Sequence, residues 1–244
     1  MSEENRVDDK IKRDPIYDEA FKGMLQNCQK LIIPIINEMF GEKYSLNAKI
    51  ESLENSEHQQ KNFDGTQEVI KSDSVFTISE SETSKKYHIE CQSTVDKTMV
   101  VRIFEYATQI ALDKQNLLEL LKPSTEEVTI KFPRSAVLYL RSRGTTPDVF
   151  TVNIEIEEQT IPYKIPIMKV KNYNVEEIFE KNLLFLIPFH LFALENKFEQ
   201  YENDSTKFAE LQTEYEGIAD RLNKLFEENQ LEINYLMEIS GWTK

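Results

Sequence analysis

The chain has 244 residues, 40% of them hydrophobic and 30% charged, with a formal net charge of -14 at pH 7. That apolar content is enough to bury a full core and excludes a disordered chain. No stretch reaches the roughly 20 apolar residues of a membrane span, and Met1 to Arg13 is charged throughout without an apolar secretion segment, which predicts a cytoplasmic protein with no membrane partner.

Residues 1–14 read as a flexible, charged lead-in. Pro15 and Asp18 suit a helix start, and Phe21, Leu25, Cys28 and Ile32 recur at helical spacing. Pro34 cannot continue that helix but fits the first turn of a second one, Ile35 to Phe40, closed by Gly41. Residues 45–71 are polar and weakly alternating, which predicts one edge strand and a loop around Asn62 to Gly65. A hairpin is expected next, from Asp73 to Ser79, through a polar turn Glu80 to Lys86, and back along Tyr87 to Ser93. Lys97 to Leu121 then reads as a helix with Met99, Ile103, Tyr106, Ile110 and Leu117 along one side.

Ser135 to Arg141 is a short, nearly continuous apolar run of the kind found in buried central strands. Val149 to Ile156 alternates, and Ile161 to Val170 carries Pro162 and Pro166, which predicts an edge strand. From Asn174 the pattern stays helical, with a break expected at Pro188, a long acidic helix from Ser205 to Glu228 and a last one near Leu231 to Ile239. The acidic excess is concentrated there: Glu195 to Glu238 holds 12 acidic and 4 basic residues. Thr129 to Gly144 instead carries Lys131, Arg134, Arg141 and Arg143 with no acid, and Ile161 to Asn172 carries Lys164, Lys169 and Lys171 with none. Such local positive fields can contact phosphate despite the net charge, although the same residues also fit solvated strand faces. Cys28 and Cys91 sit in apolar periodic segments without metal or disulfide spacing and are read as core thiols.

Successive strand residues point to opposite faces, so His88, Glu90 and Gln92 share one face of the hairpin and Ile89 and Cys91 the other. With Ser74, Phe76 and Ile78 on the apolar side of the preceding strand, Asp73 can converge with Glu90. A close Asp and Glu invite a hard divalent cation such as Mg²⁺ or Mn²⁺, with Gln92 able to orient a water or a phosphate oxygen. By spacing alone the pattern also fits solvated polar residues on an outer hairpin face.

The order helix, Asp73, Glu90-x-Gln92, helix resembles the core of the PD-(D/E)XK nuclease superfamily. More closely, the chain resembles that superfamily's recombination-promoting nuclease and putative transposase group. The resemblance runs through Asp18-Glu19-Ala20-Phe21-Lys22, Ser72-Asp73-Ser74, Tyr87 to Gln92, Arg102-Ile103-Phe104-Glu105-Tyr106, Phe132 to Arg141, Thr146-Pro147-Asp148 and Glu177 to Leu184. It implies an α/β restriction-endonuclease-like core over residues 15–173, a central mixed β-sheet flanked by helices, with a helical, acidic C-terminal extension over 174–244. It also implies a metal-dependent DNA endonuclease that hydrolyses phosphodiester bonds and is associated with a mobile element or recombination. Asp73 and Glu90 would be the metal ligands, and Gln92 would stand where the superfamily usually has Lys. Asp18, Arg102 and His88 are possible accessory residues, and Lys131, Arg134, Arg141 and Arg143 are candidate DNA contacts. The other reading is a catalytically weakened nuclease fold that binds DNA or protein, with homo-oligomers formed through the C-terminal helices.

Overall fold

The computed structural model describes residues 15–52, 57–61, 67–71, 74–92, 98–112, 128–140, 146–192 and 204–242. Helix α1 (Pro15–Asn27) leads through a 3₁₀ turn into α2 (Ile32–Phe40). Strands β1 (Lys49–Ser52), β2 (Glu57–Lys61), β3 (Gln67–Lys71), β4 (Ser74–Glu80) and β5 (Thr83–Gln92) follow, then α3 (Met99–Ala111). Strands β6 (Arg134–Tyr139), β7 (Val149–Ile156) and β8 (Gln159–Lys169) precede the helices α4 (Val175–Glu180), α5 (Ile187–Phe192), α6 (Ser205–Glu227) and α7 (Ile233–Trp242).

Six strands form one mixed sheet in the order β1-β4-β5-β6-β8-β7, while β2 and β3 pair separately. β4 and β5 are an antiparallel hairpin, whereas β5, β6 and β8 run parallel to one another. The parallel step from β5 to β6 requires a crossover, and α3 lies within it. Alternation along the strands then divides the core in two. Phe76, Ile78, Tyr87, Ile89, Cys91, Ala136, Leu138 and Met168 pack in one cluster with α1, α2 and the C-terminal helices. Val137, Tyr139 and Ile165 pack on the other face with Met99 and Ile103 of α3, and Val75 meets Tyr106 and Ile110. The expected apolar side of α3 is therefore its sheet-facing side; Leu117 lies outside the described residues.

Two helices form here, but they divide at the 3₁₀ turn Gln29–Leu31 and not at Pro34: Ile32 opens α2, Pro34 lies in its first turn, and α2 ends at Gly41 in the left-handed conformation, φ +65. Cys28 and Cys91 are both buried thiols outside any disulfide, and burial pushes the Cys28 thiol up to about 12, as expected of an inert core residue. In α6, Leu211, Ile218 and Leu222 are buried, the latter two in the main core, while Phe208 near its start is 52% exposed.

Four local expectations change. The polar segment 45–71 contributes three strands, not one, and the loop expected around Asn62 to Gly65 lies outside the described residues. The hairpin turn is Ser81 and Glu82 alone, since Thr83 to Lys86 already belong to β5. The C-terminal helical region breaks at Asn182, φ +55, and Pro188 sits in the first turn of α5, where its missing N–H is harmless. β8 is not an edge: it lies between β6 and β7. Its prolines are accommodated because β6 pairs only with Ile167 to Lys169, leaving the rest of β8 with β7 alone. Ile167 donates its N–H to Asp148 O at 2.9 Å, so odd positions face β7 and the nitrogens of Pro162 and Pro166 point away from it.

The two-faced core implies a sharp contrast between neighbouring apolar positions. Ile89 is fully buried, so Ile89→Ala should cost about 2–5 kcal/mol in urea unfolding. Val101 on the outer side of α3 is 61% exposed, and Val101→Ala should stay within about 0.5 kcal/mol of wild type.

Candidate functional site

β5 places His88, Glu90 and Gln92 on the face covered by α3, and all three are buried: His88 and Glu90 at 0% exposure and Gln92 at 5%. The shared face follows from strand alternation; the burial follows from α3 lying over it. His88 Nε2 sits 2.9 Å from Glu90 Oε1, and its Nδ1 lies 3.1 Å from Ser135 Oγ on the neighbouring strand. The imidazole also meets Tyr106 of α3 edge to face, with ring centroids 5.9 Å apart. Gln92 Nε2 has no hydrogen-bond partner among the described residues.

Register extends this row across the parallel strands. His88 pairs with Ser135, Glu90 with Val137 and then Ile167, and Gln92 with Tyr139 and then Lys169. Gln92, Tyr139 and Lys169 thus end three parallel strands on one face, the edge at which open α/β sheets take ligands. Lys169 is buried; its ammonium donates to Thr146 O at 2.5 Å and to Asp148 Oδ1 at 2.7 Å. It is not one of the solvated strand cations that a run of lysines suggests.

Asp73 lies outside the described residues. Ser74, the next residue in the chain, pairs with Ile89, which immediately precedes Glu90. Arg102 is half-buried on α3, with Nη2 donating toward Met99 Sδ at 3.7 Å. The Asp18 side chain is outside the described residues; its helix α1 contributes Tyr17, Phe21 and Met24 to the core cluster of Ile89 and Cys91, the opposite sheet face from Glu90.

The basic candidates divide. Arg141 and Arg143 lie outside the described residues. Lys131 and Arg134 line a cleft of about 590 Å³ together with Lys85, Lys86 and Phe132, with no carboxylate among its described lining residues. Lys86 shares the strand face of His88 and Glu90, four residues before the latter, or roughly 13 Å at strand rise. Phe132 stacks on Phe104 with centroids 6.0 Å apart, and both rings contact Tyr163. Glu42, at the rim, accepts from Lys85 at 2.9 Å and from Arg134, whose guanidinium also lies over the Phe40 ring, 5.0 Å from its centroid.

Ser135 and Tyr163 are the residues that sequence reasoning missed, while Lys169, read as one of a run of strand cations, proves to be buried. The Tyr163 hydroxyl lies 2.8 Å from Pro133 O and 2.8 Å from Ser135 Oγ, which share its one proton. Alternation along β8 puts Tyr163, Ile165 and Ile167 together, but nothing local says that this side meets His88.

Among the described residues, no group of three or more His, Cys, Asp or Glu side chains converges as a metal site would. The described oxygen donors, the Glu90 carboxylate and the Gln92 amide, are hard ligands of the kind that suits Mg²⁺ or Mn²⁺ and not softer metals.

Burial pulls the Glu42 carboxyl upward, but the Lys85 hydrogen bond and the charges of Arg134 and Lys85 outweigh it and hold its pKa below the ordinary value. A depressed carboxylate contributes stability that is in place above the unfolded pKa of about 4.3 and is lost as pH falls through the lower folded value. In urea midpoints measured against pH, wild type should therefore lose its advantage over Glu42→Gln only on the acid side of about pH 4.3.

No described helix is long and apolar enough to cross a membrane. No family model matches the chain, and neither a curated protein nor a solved structure does.

Proposed function

We propose that this protein is a Mg²⁺- or Mn²⁺-dependent DNA endonuclease of the PD-(D/E)XK type with a restriction-endonuclease-like fold, acting in recombination or on a mobile element. The observation that carries the reading is Glu90, a fully buried carboxylate on a central strand, with the Gln92 amide on the same covered face at the strand's end. A carboxylate removed from water stays charged only beside positive charge or strong donors. A divalent cation suits the Glu90-x-Gln92 oxygen set, with Asp73 as the second carboxylate. The six-stranded mixed sheet flanked by helices is compatible with such a core.

In this reading Glu90 and Asp73 hold the cation, which supplies an activated water and charge neutralisation at the phosphodiester when bound. Gln92 orients the attacking water or a phosphate oxygen through its amide, without adding charge. α3 excludes solvent from the covered face through Met99, Ile103 and Tyr106. The cleft lies toward the other end of β5, with Lys86 on the strand face of Glu90 and Arg134, in register with Tyr87, on the opposite one; Lys86 and Lys131 suit the backbone phosphates flanking the scissile bond. Phe132 at 38% exposure offers a ring for base contact there.

Plasmid nicking tests the reading. Purified protein should relax supercoiled DNA with Mg²⁺ or Mn²⁺ and stop on addition of EDTA. Asp73→Ala and Glu90→Ala should each abolish the activity; cleavage that survives both substitutions would overturn the assignment. Gln92→Ala should lower the rate, on the scale of about 10²–10³ seen when one preorganised transition-state donor is lost. Gln92→Lys should retain cleavage, since an ammonium can orient the same water.

A further inference from the structure

We infer that Tyr163, Ser135 and His88 form a hydrogen-bond chain across three strands that positions the Glu90 carboxylate for a divalent cation. The inference rests on the metal-site reading above and assigns the three residues a positioning role, not a catalytic one.

The geometry is continuous. Tyr163 OH to Ser135 Oγ is 2.8 Å, Ser135 Oγ to His88 Nδ1 is 3.1 Å, and His88 Nε2 to Glu90 Oε1 is 2.9 Å. Its links come from three adjacent strands in the order β8, β6, β5, with Ser135 and His88 in direct register. Ser135, His88 and Glu90 are each 1% exposed or less, so water does not compete for these bonds.

The proton inventory gives the chain a direction. A neutral imidazole has one N–H and one acceptor nitrogen, and a hydroxyl gives one proton while accepting another. A metal-holding carboxylate at Glu90 only accepts, so the neutral ring carries its N–H on Nε2, aimed at Oε1, and Nδ1 accepts from the Ser135 hydroxyl. Ser135 Oγ in turn accepts from Tyr163, whose single proton is shared with Pro133 O. Burial raises the Tyr163 pKa, which keeps that hydroxyl protonated as a donor.

The far end of the chain is anchored by packing. Tyr163 sits against Phe104 and Phe132 at centroid distances of 5.9 and 5.8 Å, and it also reaches Pro133 O. A nucleophilic serine is a poorer reading of the same contacts, because the Ser135 oxygen is shared between Tyr163 and His88 and is closed to solvent. A buried hydrogen-bonded network restricts the rotamers of its members, and partners that hold a metal-ligating side chain govern its affinity for the ion.

The test is Mn²⁺ affinity of the full chain, measured by calorimetry and by Mn²⁺ electron paramagnetic resonance, with thermal unfolding in parallel. His88→Leu should weaken Mn²⁺ binding by roughly 10- to 100-fold, the range found for such supporting partners. Ser135→Ala and Tyr163→Phe, which remove only hydroxyls, should weaken it by smaller factors. The deciding readout is their coupling. Tyr163→Phe should weaken Mn²⁺ binding in the wild-type background and have no further effect once Ser135 is Ala, because the chain is already cut. Full multiplication of the two effects, or unchanged Mn²⁺ affinity in both hydroxyl variants, overturns the positioning role while the metal site stands. A wild-type chain that binds no Mn²⁺ at millimolar concentration instead overturns the metal site and the positioning role with it. If His88→Leu does not fold, the Ser135 and Tyr163 cycle decides by itself.

Discussion

The rest of the structure depends on β5 having both faces covered. It pairs with β4 on one side and β6 on the other, so no edge is left open. Its odd positions Tyr87, Ile89 and Cys91 enter the larger core, and its even positions His88, Glu90 and Gln92 are closed over from the other side by α3. Apolar residues gain from that arrangement, whereas a carboxylate and an imidazole each lose their hydration. Polar groups placed there must be bonded, and the His88–Glu90 contact is the local solution.

That division also explains the placement of the helices. One sheet face receives α1, α2 and the C-terminal helices, with Phe21, Phe185 and Phe189 meeting in edge-on and tilted contacts. The opposite face carries the polar row. The first side is a hydrophobic core, and the second carries the polar residues of the candidate site at some cost in apolar burial. The acidic character of α6 belongs to its exposed side, since its buried positions Leu211, Ile218 and Leu222 are apolar. The overall charge of the chain therefore says little about the basic cleft, which is built from β5 and the segment leading into β6.

Much of the architecture was legible from local pattern. Pro34 marked the first turn of α2 and Gly41 its end, the continuous apolar run at Ser135 identified a central strand, and the Met99, Ile103, Tyr106 and Ile110 stripe identified the buried side of α3. The capping box at Asn174 and Glu177 closes the first turn of α4, where the helical pattern begins. Less was legible where a local rule had two outcomes. Prolines normally keep a strand at an edge, yet β8 is internal because β6 overlaps only its last residues. Pro188 looked like a break but occupies a helix start, because Asn182 had already turned the chain.

The candidate site shows the same boundary. Alternation alone put Glu90 and Gln92 on one face and Ile89 and Cys91 on the other, because the side-chain period of a strand is local and fixed by backbone geometry. Sequence alone could not tell whether that polar face was solvated or buried, since the answer depends on α3 folding back over it. Nor could it bring Ser135 and Tyr163 to His88. Those residues lie 47 and 75 positions away in the chain, and their meeting is decided by the register of parallel strands joined through crossovers. Register of that kind is set by the packing of both sheet faces at once, which only the tertiary structure supplies.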